Sequence, residues 1–259
     1  MHSIFGLKHL IIVSVCSVLI AVLFILSKRL SFPTVCKAML YIGIVSEIIK
    51  IFYYTIQNEE THGGVLPKTD LPFHLCSIQI IFIVILNISS NEKLKRFLLS
   101  FMYPSCLIGG IAAILIATYT ALNGMWILSV QYFGYHVAIV VFSLRLIAGK
   151  EFKIQFSDYT NCMKFLMIIM FFAFYVNSIV YDGVSNINFM YVASPPQSGL
   201  PFLTEKYGWL VYIVHYAFLV LFCVSACYAK PIFKAIKSIF KRAENTDTSV
   251  AEEAIECVK

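Results

Sequence analysis

Two stretches of this sequence place reactive side chains in apolar surroundings: Leu71-Pro-Phe-His-Leu-Cys76 and Gln131-Tyr-Phe-Gly-Tyr-His136. A thiol and an imidazole are the minimum equipment for acyl transfer. The imidazole takes the thiol proton, the sulfur attacks a carbonyl, and the proton is returned to the leaving group. His74 is two residues from Cys76, about 200° around a helix, so it does not share the face of Cys76. A base for Cys76 must then come from another element, with His136 the first candidate and His215 the second. Gln79 shares the face of Cys76 and Gln131 opens the His136 stretch; either amide suits the steadying of an oxyanion. Glu47 and Lys50, three residues apart, can form a self-neutralising ion pair. Alternatively, Glu47 orients a histidine or meets a substrate headgroup. Asn177 and Asp182 line or mark the mouth of the same region. Asn188 and Tyr191 stand in the long segment that follows. His74, His136 and His215 with Glu47 could supply zinc ligands. No histidines are paired at i, i+4, so a zinc-dependent lipid hydrolase is a second alternative and no metal or cofactor is expected.

Those residues must be held by membrane helices. Of the 259 residues, 59% are hydrophobic and 13% charged, against about 25% charged in soluble domains; mean hydropathy is +0.82. The expected fold is an all-α polytopic bundle of seven transmembrane helices, over 9–27, 34–57, 71–89, 97–121, 126–148, 162–182 and 207–229. Asp70 and Pro72 are read as the cap and first turn of the third helix. Cys76 then falls one to two turns inside it. The run Leu10–Leu26, followed at once by Lys28 and Arg29, reads as a retained span rather than a cleaved signal.

The basic residues fix a direction. Alternate connections and the tail carry Lys28, Arg29 and Lys37; Lys93, Lys95 and Arg96; Arg145, Lys150, Lys153 and Lys164; and Lys230, Lys234, Lys237, Lys241, Arg242 and Lys259. The opposite side carries only Lys8, Lys68 and Lys206. The positive-inside rule then puts the amino terminus outside and the carboxyl terminus in the cytoplasm of a multi-pass cell-membrane protein. The net charge of +6 follows from those loops and is no sign of nucleic-acid binding. All six histidines fall on the outer side or in its half of the bilayer. The eight cysteines lack C-x-x-C spacing and mostly read as small hydrophobes in apolar runs.

Three domains follow: a bundle over 1–229, a basic amphipathic helix over 230–243 and a disordered tail over 244–259. Ile232, Phe233, Ile236, Ile239 and Phe240 share one face of that helix and Lys234, Lys237 and Lys241 another, which suits anionic inner-leaflet lipids. A transporter or small-ligand-binding protein without catalysis is the main alternative to an enzyme. Pro104 and Gly109-Gly110 would let the fourth span kink, but no inverted repeat is visible.

Leu71-Pro-Phe-His-Leu-Cys76 resembles the LPxxxC signature of the YwaF-like family of integral membrane proteins, related to transmembrane protein 164. Gln131–His136 is similar to that family's second polar stretch. Asn188-Phe-Met-Tyr191, Pro195-Pro196 and Trp209 resemble its NYMY…P…W segment, with Phe189 in place of a tyrosine. Order and spacing agree over nearly the whole chain. The resemblance implies seven helices and a lipid acyltransferase acting on a membrane phospholipid or lysolipid, with Cys76 as nucleophile and His136 as its partner.

Overall fold

The computed structural model describes residues 5–57, 64–149, 152–184, 187–195, 204 and 206–240. Among the described residues the chain is helical, with no strand. The helices are α1 (Leu7–Ser27), α2 (Phe32–Phe52), α3 (Ile78–Ile88), α4 (Glu92–Leu115), the short α5 (Tyr119–Asn123), α6 (Trp126–Ala148), α7 (Phe156–Val180) and α8 (Trp209–Cys227). Residues 229–240 form a further helix, α9, set off by a turn at Tyr228. Five of these, α1, α4, α6, α7 and α8, are long and apolar enough to cross a membrane. The expected tail, 244–259, lies outside the described residues, as do His2, His62, Asn186 and Pro196.

Local chemistry starts several of the helices. The Ser31 hydroxyl accepts from the Thr34 amide at 3.4 Å, and Pro33 sits in the first turn of α2. Asn91 accepts from the amides of Lys93 and Leu94 at the head of α4. Gln155 and Asp158 form a reciprocal capping box on α7. α4 continues through Pro104 without a break.

α4 and α6 form the buried centre, and α1, α2, α3, α7 and α8 pack around them. The close approach of α4 to α6 depends on Gly110, where an added Cβ would meet Val140 Cγ2 at 2.6 Å. The basic end is tied by charge. Arg96 meets the wholly buried Asp158 at 2.8 Å and also donates to the Lys153 carbonyl. Arg145 donates to the carbonyls of Ser27 and Leu30. At the other end Lys8 donates to the Leu122 carbonyl, and His9 Nε2 to the Ile114 carbonyl.

The third apolar segment departs from expectation. A helix over 71–89 was expected, but α3 begins only at Ile78 and residues 71–77 are turns. Pro72 disfavours helical backbone at the residue before it, and Leu71 is accordingly extended at φ −58°, ψ 149°. Asp70 ends a separate 3-10 turn, Lys68–Asp70, rather than capping α3. Cys76 therefore lies in a turn ahead of the helix instead of inside it.

Candidate functional site

The Cys76 turn is built from both sides. Its carbonyl accepts the Tyr135 hydroxyl of α6 at 2.8 Å and the Gln79 amide at 3.3 Å. Its sulfur lies against Gly109 of α4, 3.7 Å from where a Cβ would stand. The His136 carbonyl lies 3.2 Å from the corresponding point on Gly110. Consecutive glycines of α4 thus meet the thiol and the backbone of the histidine. Cys76 is half-buried and His136 buried.

The ring of His136 is fixed by its own helix. Nδ1 lies 2.6 Å from the Tyr132 carbonyl, and the two rings are 4.3 Å apart. A carbonyl only accepts, so in the neutral ring Nδ1 carries the proton and Nε2 keeps its lone pair. Nε2 has no hydrogen-bond partner among the described residues.

A second turn faces the first. His74 packs on Phe189 at 5.1 Å and on Tyr191 at 6.2 Å, and Phe73 packs edge-on against Phe189 at 5.4 Å. The 3-10 turn Phe189–Tyr191 holds two consecutive non-glycine residues in left-handed backbone, Met190 at φ 57° and Tyr191 at φ 54°. Such residues persist only where their surroundings impose the conformation. Here Asn177 clamps Phe189 from α7, accepting from its N–H at 2.8 Å and donating to its carbonyl at 3.1 Å. Tyr216 donates to the Met190 carbonyl and Tyr212 to the Tyr191 carbonyl, both from α8. Asn188 bonds Ala193 and Ser194, closing the loop on itself.

The remaining expected residues divide. Gln131 reaches the Ser46 hydroxyl of α2 at 2.7 Å, next to Glu47. Glu47 and Lys50 form the expected ion pair at 2.8 Å, both half-buried. His74 Nε2 donates to the Thr69 carbonyl at 3.2 Å. Asp182 pairs with Lys68 at 3.0 Å. The side-chain amide of Gln79 is engaged elsewhere: its N–H groups reach the Leu75 carbonyl and Ser105, and its oxygen accepts from Cys106. His215 does not back up His136 either. It is exposed on α8 and bonds its own helix at the Val211 carbonyl. Among the described residues no group of three or more His, Cys, Asp or Glu side chains converges as metal ligands would. The four residues of the zinc reading therefore do not share a site.

Sequence reasoning missed Tyr132 and Tyr135, which hold the histidine and the cysteine turn, and Tyr212 and Tyr216, which hold the second turn. The doublet Gly109-Gly110, which the sequence offers as a point of kinking, is where helices and turn approach closely.

Comparison with curated proteins and with solved structures gave no match. Comparison with protein families matched residues 4–228 to the TMEM164 family. That match takes in every helix from α1 to α8 and both facing turns, and the chain belongs to the TMEM164 family of membrane proteins.

Proposed function

We propose that this protein is a lipid acyltransferase of the cell membrane, with Cys76 as nucleophile and His136 as base. The observation that carries this reading is the tethering of His136. Its Nδ1–H is held by the Tyr132 carbonyl, leaving Nε2 as a buried acceptor. It stands one residue along α6 from the tyrosine that holds the Cys76 carbonyl. A fixed tautomer with an open lone pair is what a general base requires.

The reaction runs in two halves. His136 Nε2 takes the Cys76 thiol proton as the sulfur bonds to an ester carbonyl of a phospholipid. Collapse expels the lysolipid alkoxide, which takes the proton from His136, and leaves an acyl thioester on Cys76. An acceptor hydroxyl then gives its proton to His136 and attacks the thioester, returning Cys76 to the thiol. The Glu47–Lys50 pair, half-buried near this end of α2, offers opposite charges to a headgroup.

In this reading α2 and α3 also cross, completing seven spans. α2 is 21 residues long. α3, with 11 residues, is about 16 Å long and is completed by the turn that carries Cys76. Irregular backbone at such depth is tolerated where protein buries it. The distribution of basic residues supports an amino terminus outside, a site in the outer half of the bilayer, and an α9 that lies on anionic inner-leaflet lipid.

The test uses the protein and Cys76→Ser in lipid nanodiscs, with phospholipid carrying a labelled acyl chain and a lysolipid acceptor. Mass spectrometry should find acyl-Cys76 and transferred product in the wild type only. Neither adduct nor transfer across several donors would overturn the proposal in favour of a binding or transport role.

A further inference from the structure

Acyl transfer places negative charge on the carbonyl oxygen, and a buried site must supply a donor for it. Both glutamines near the site are engaged elsewhere, Gln79 with Leu75, Ser105 and Cys106, and Gln131 with Ser46. The phenols of α6, of α8 and of the turn that faces Cys76 each carry one proton to donate. Tyr135 donates a hydrogen bond to the Cys76 carbonyl, Tyr132 to the Ala113 carbonyl and Tyr216 to the Met190 carbonyl. Tyr212 donates to the Tyr191 carbonyl.

Tyr191 differs. Its hydroxyl has no hydrogen-bond partner among the described residues, and burial first, with the charge of a Cys76 thiolate second, pushes its pKa up, so it keeps its proton. Its ring packs on His74, two residues before Cys76. Its backbone is held in a left-handed conformation by side chains from α7, from α8 and from the loop itself. Non-glycine backbone held in that region marks positions where the direction of a side chain matters.

We propose that the Tyr191 hydroxyl is the oxyanion donor, hydrogen-bonding the acyl carbonyl oxygen as the Cys76 sulfur attacks. As the carbon–sulfur bond forms, the carbonyl π pair moves onto oxygen. Tyr191 donates a hydrogen bond to that oxygen and keeps its proton. The oxyanion then reforms the carbonyl and expels the lysolipid alkoxide, which is protonated by His136. This rests on the acyl-transfer reading of Cys76.

The experiment compares wild type and Tyr191→Phe in nanodiscs, following acyl-Cys76 by rapid quench and mass spectrometry against donor concentration. Tyr191→Phe removes one oxygen and leaves the ring on His74. The maximal acylation rate should fall on the order of 100-fold, with the half-saturating donor concentration and the unfolding midpoint nearly unchanged. Acylation within a few-fold of wild type, or a loss confined to half-saturation, overturns the assignment while the acyl-transfer reading stands. A wild type that forms no adduct overturns both. Should Tyr191→Phe fail to fold, 3-fluorotyrosine at position 191 keeps the hydroxyl and makes it more acidic. The alkaline limb of the rate should then move to lower pH, and an unmoved limb overturns the role.

Discussion

Replacing Asn177 with alanine removes one side chain and orphans two backbone groups. The Phe189 N–H and carbonyl lose partners at 2.8 and 3.1 Å, and Phe189 is wholly buried, so water cannot readily replace them. A buried backbone group left without a partner costs about 1–3 kcal/mol. Two such groups set a ceiling near 6 kcal/mol, but the loop can relax. The left-handed backbone of Met190 and Tyr191 stores about 1–2 kcal/mol per residue, and that is released if the turn rearranges. The net expectation is a loss of about 2–4 kcal/mol, with the turn moving off the Cys76 segment. Unfolding in mixed detergent micelles measures the first effect. Hydrogen exchange over residues 187–195 measures the second, since protection at Phe189 should collapse. His215→Ala, on an exposed residue bonded within its own helix, is the control and should stay within about 0.5 kcal/mol. An Asn177→Ala protein as stable as that control, with Phe189 still protected, would refute the reasoning that this clamp holds the turn.

The two glycines of α4 should behave oppositely. Gly110→Ala brings a Cβ within 2.6 Å of Val140 Cγ2 and 3.2 Å of the His136 carbonyl and should lower stability by about 1–3 kcal/mol. Gly109→Ala meets Leu75 at 3.4 Å and Cys76 at 3.7 Å, ordinary contacts, and should be nearly neutral in the same unfolding assay. Arg96→Ala strands the fully buried Asp158 carboxylate and should cost about 3–5 kcal/mol; Arg96→Ala with Asp158→Asn should recover part of that loss. On α9, Lys230, Lys234 and Lys237 changed together to glutamine should weaken its association with anionic nanodiscs by about 1 kcal/mol per charge. An environment-sensitive probe at Phe233, 71% exposed in the structure, reads that change, and no dependence on lipid charge would remove the lipid-surface role.

The helical class was legible because apolar runs of membrane length admit little else. The bounds of α6 agree with the sequence reading at both ends, where Gly124 and Gly149 flank it. The third segment misled because Asp70-Leu-Pro72 is equally good punctuation for a helix start and for an extended entry. Contacts from Phe189 and Tyr191, more than a hundred residues away, accompany the second outcome. Nothing in Phe189-Met-Tyr191 announces left-handed backbone, since no glycine is present; three side chains of other elements impose it. Glu47–Lys50 was readable because the spacing is local. The engagement of Gln79 was not, because Ser105 and Cys106 stand on another helix. α8 is apolar all round, so no periodicity revealed that His215 looks outward.

The polar hooks on α1 set a schedule for biogenesis. Its partners are made late: His9 waits for Ile114, Lys8 for Leu122, and the carbonyls of Ser27 and Leu30 for Arg145. Those sequence separations are 105, 114, 118 and 115 residues. At about 5–20 residues per second, the first helix spends roughly 5–20 s in the membrane with Nε2 of His9 unanswered, its Nδ1 being met locally by the Phe5 N–H. A nascent α1 should therefore linger beside the insertion machinery until α4 and α6 arrive, and crosslinking from position 9 in chains stalled before and after α6 should record the hand-over.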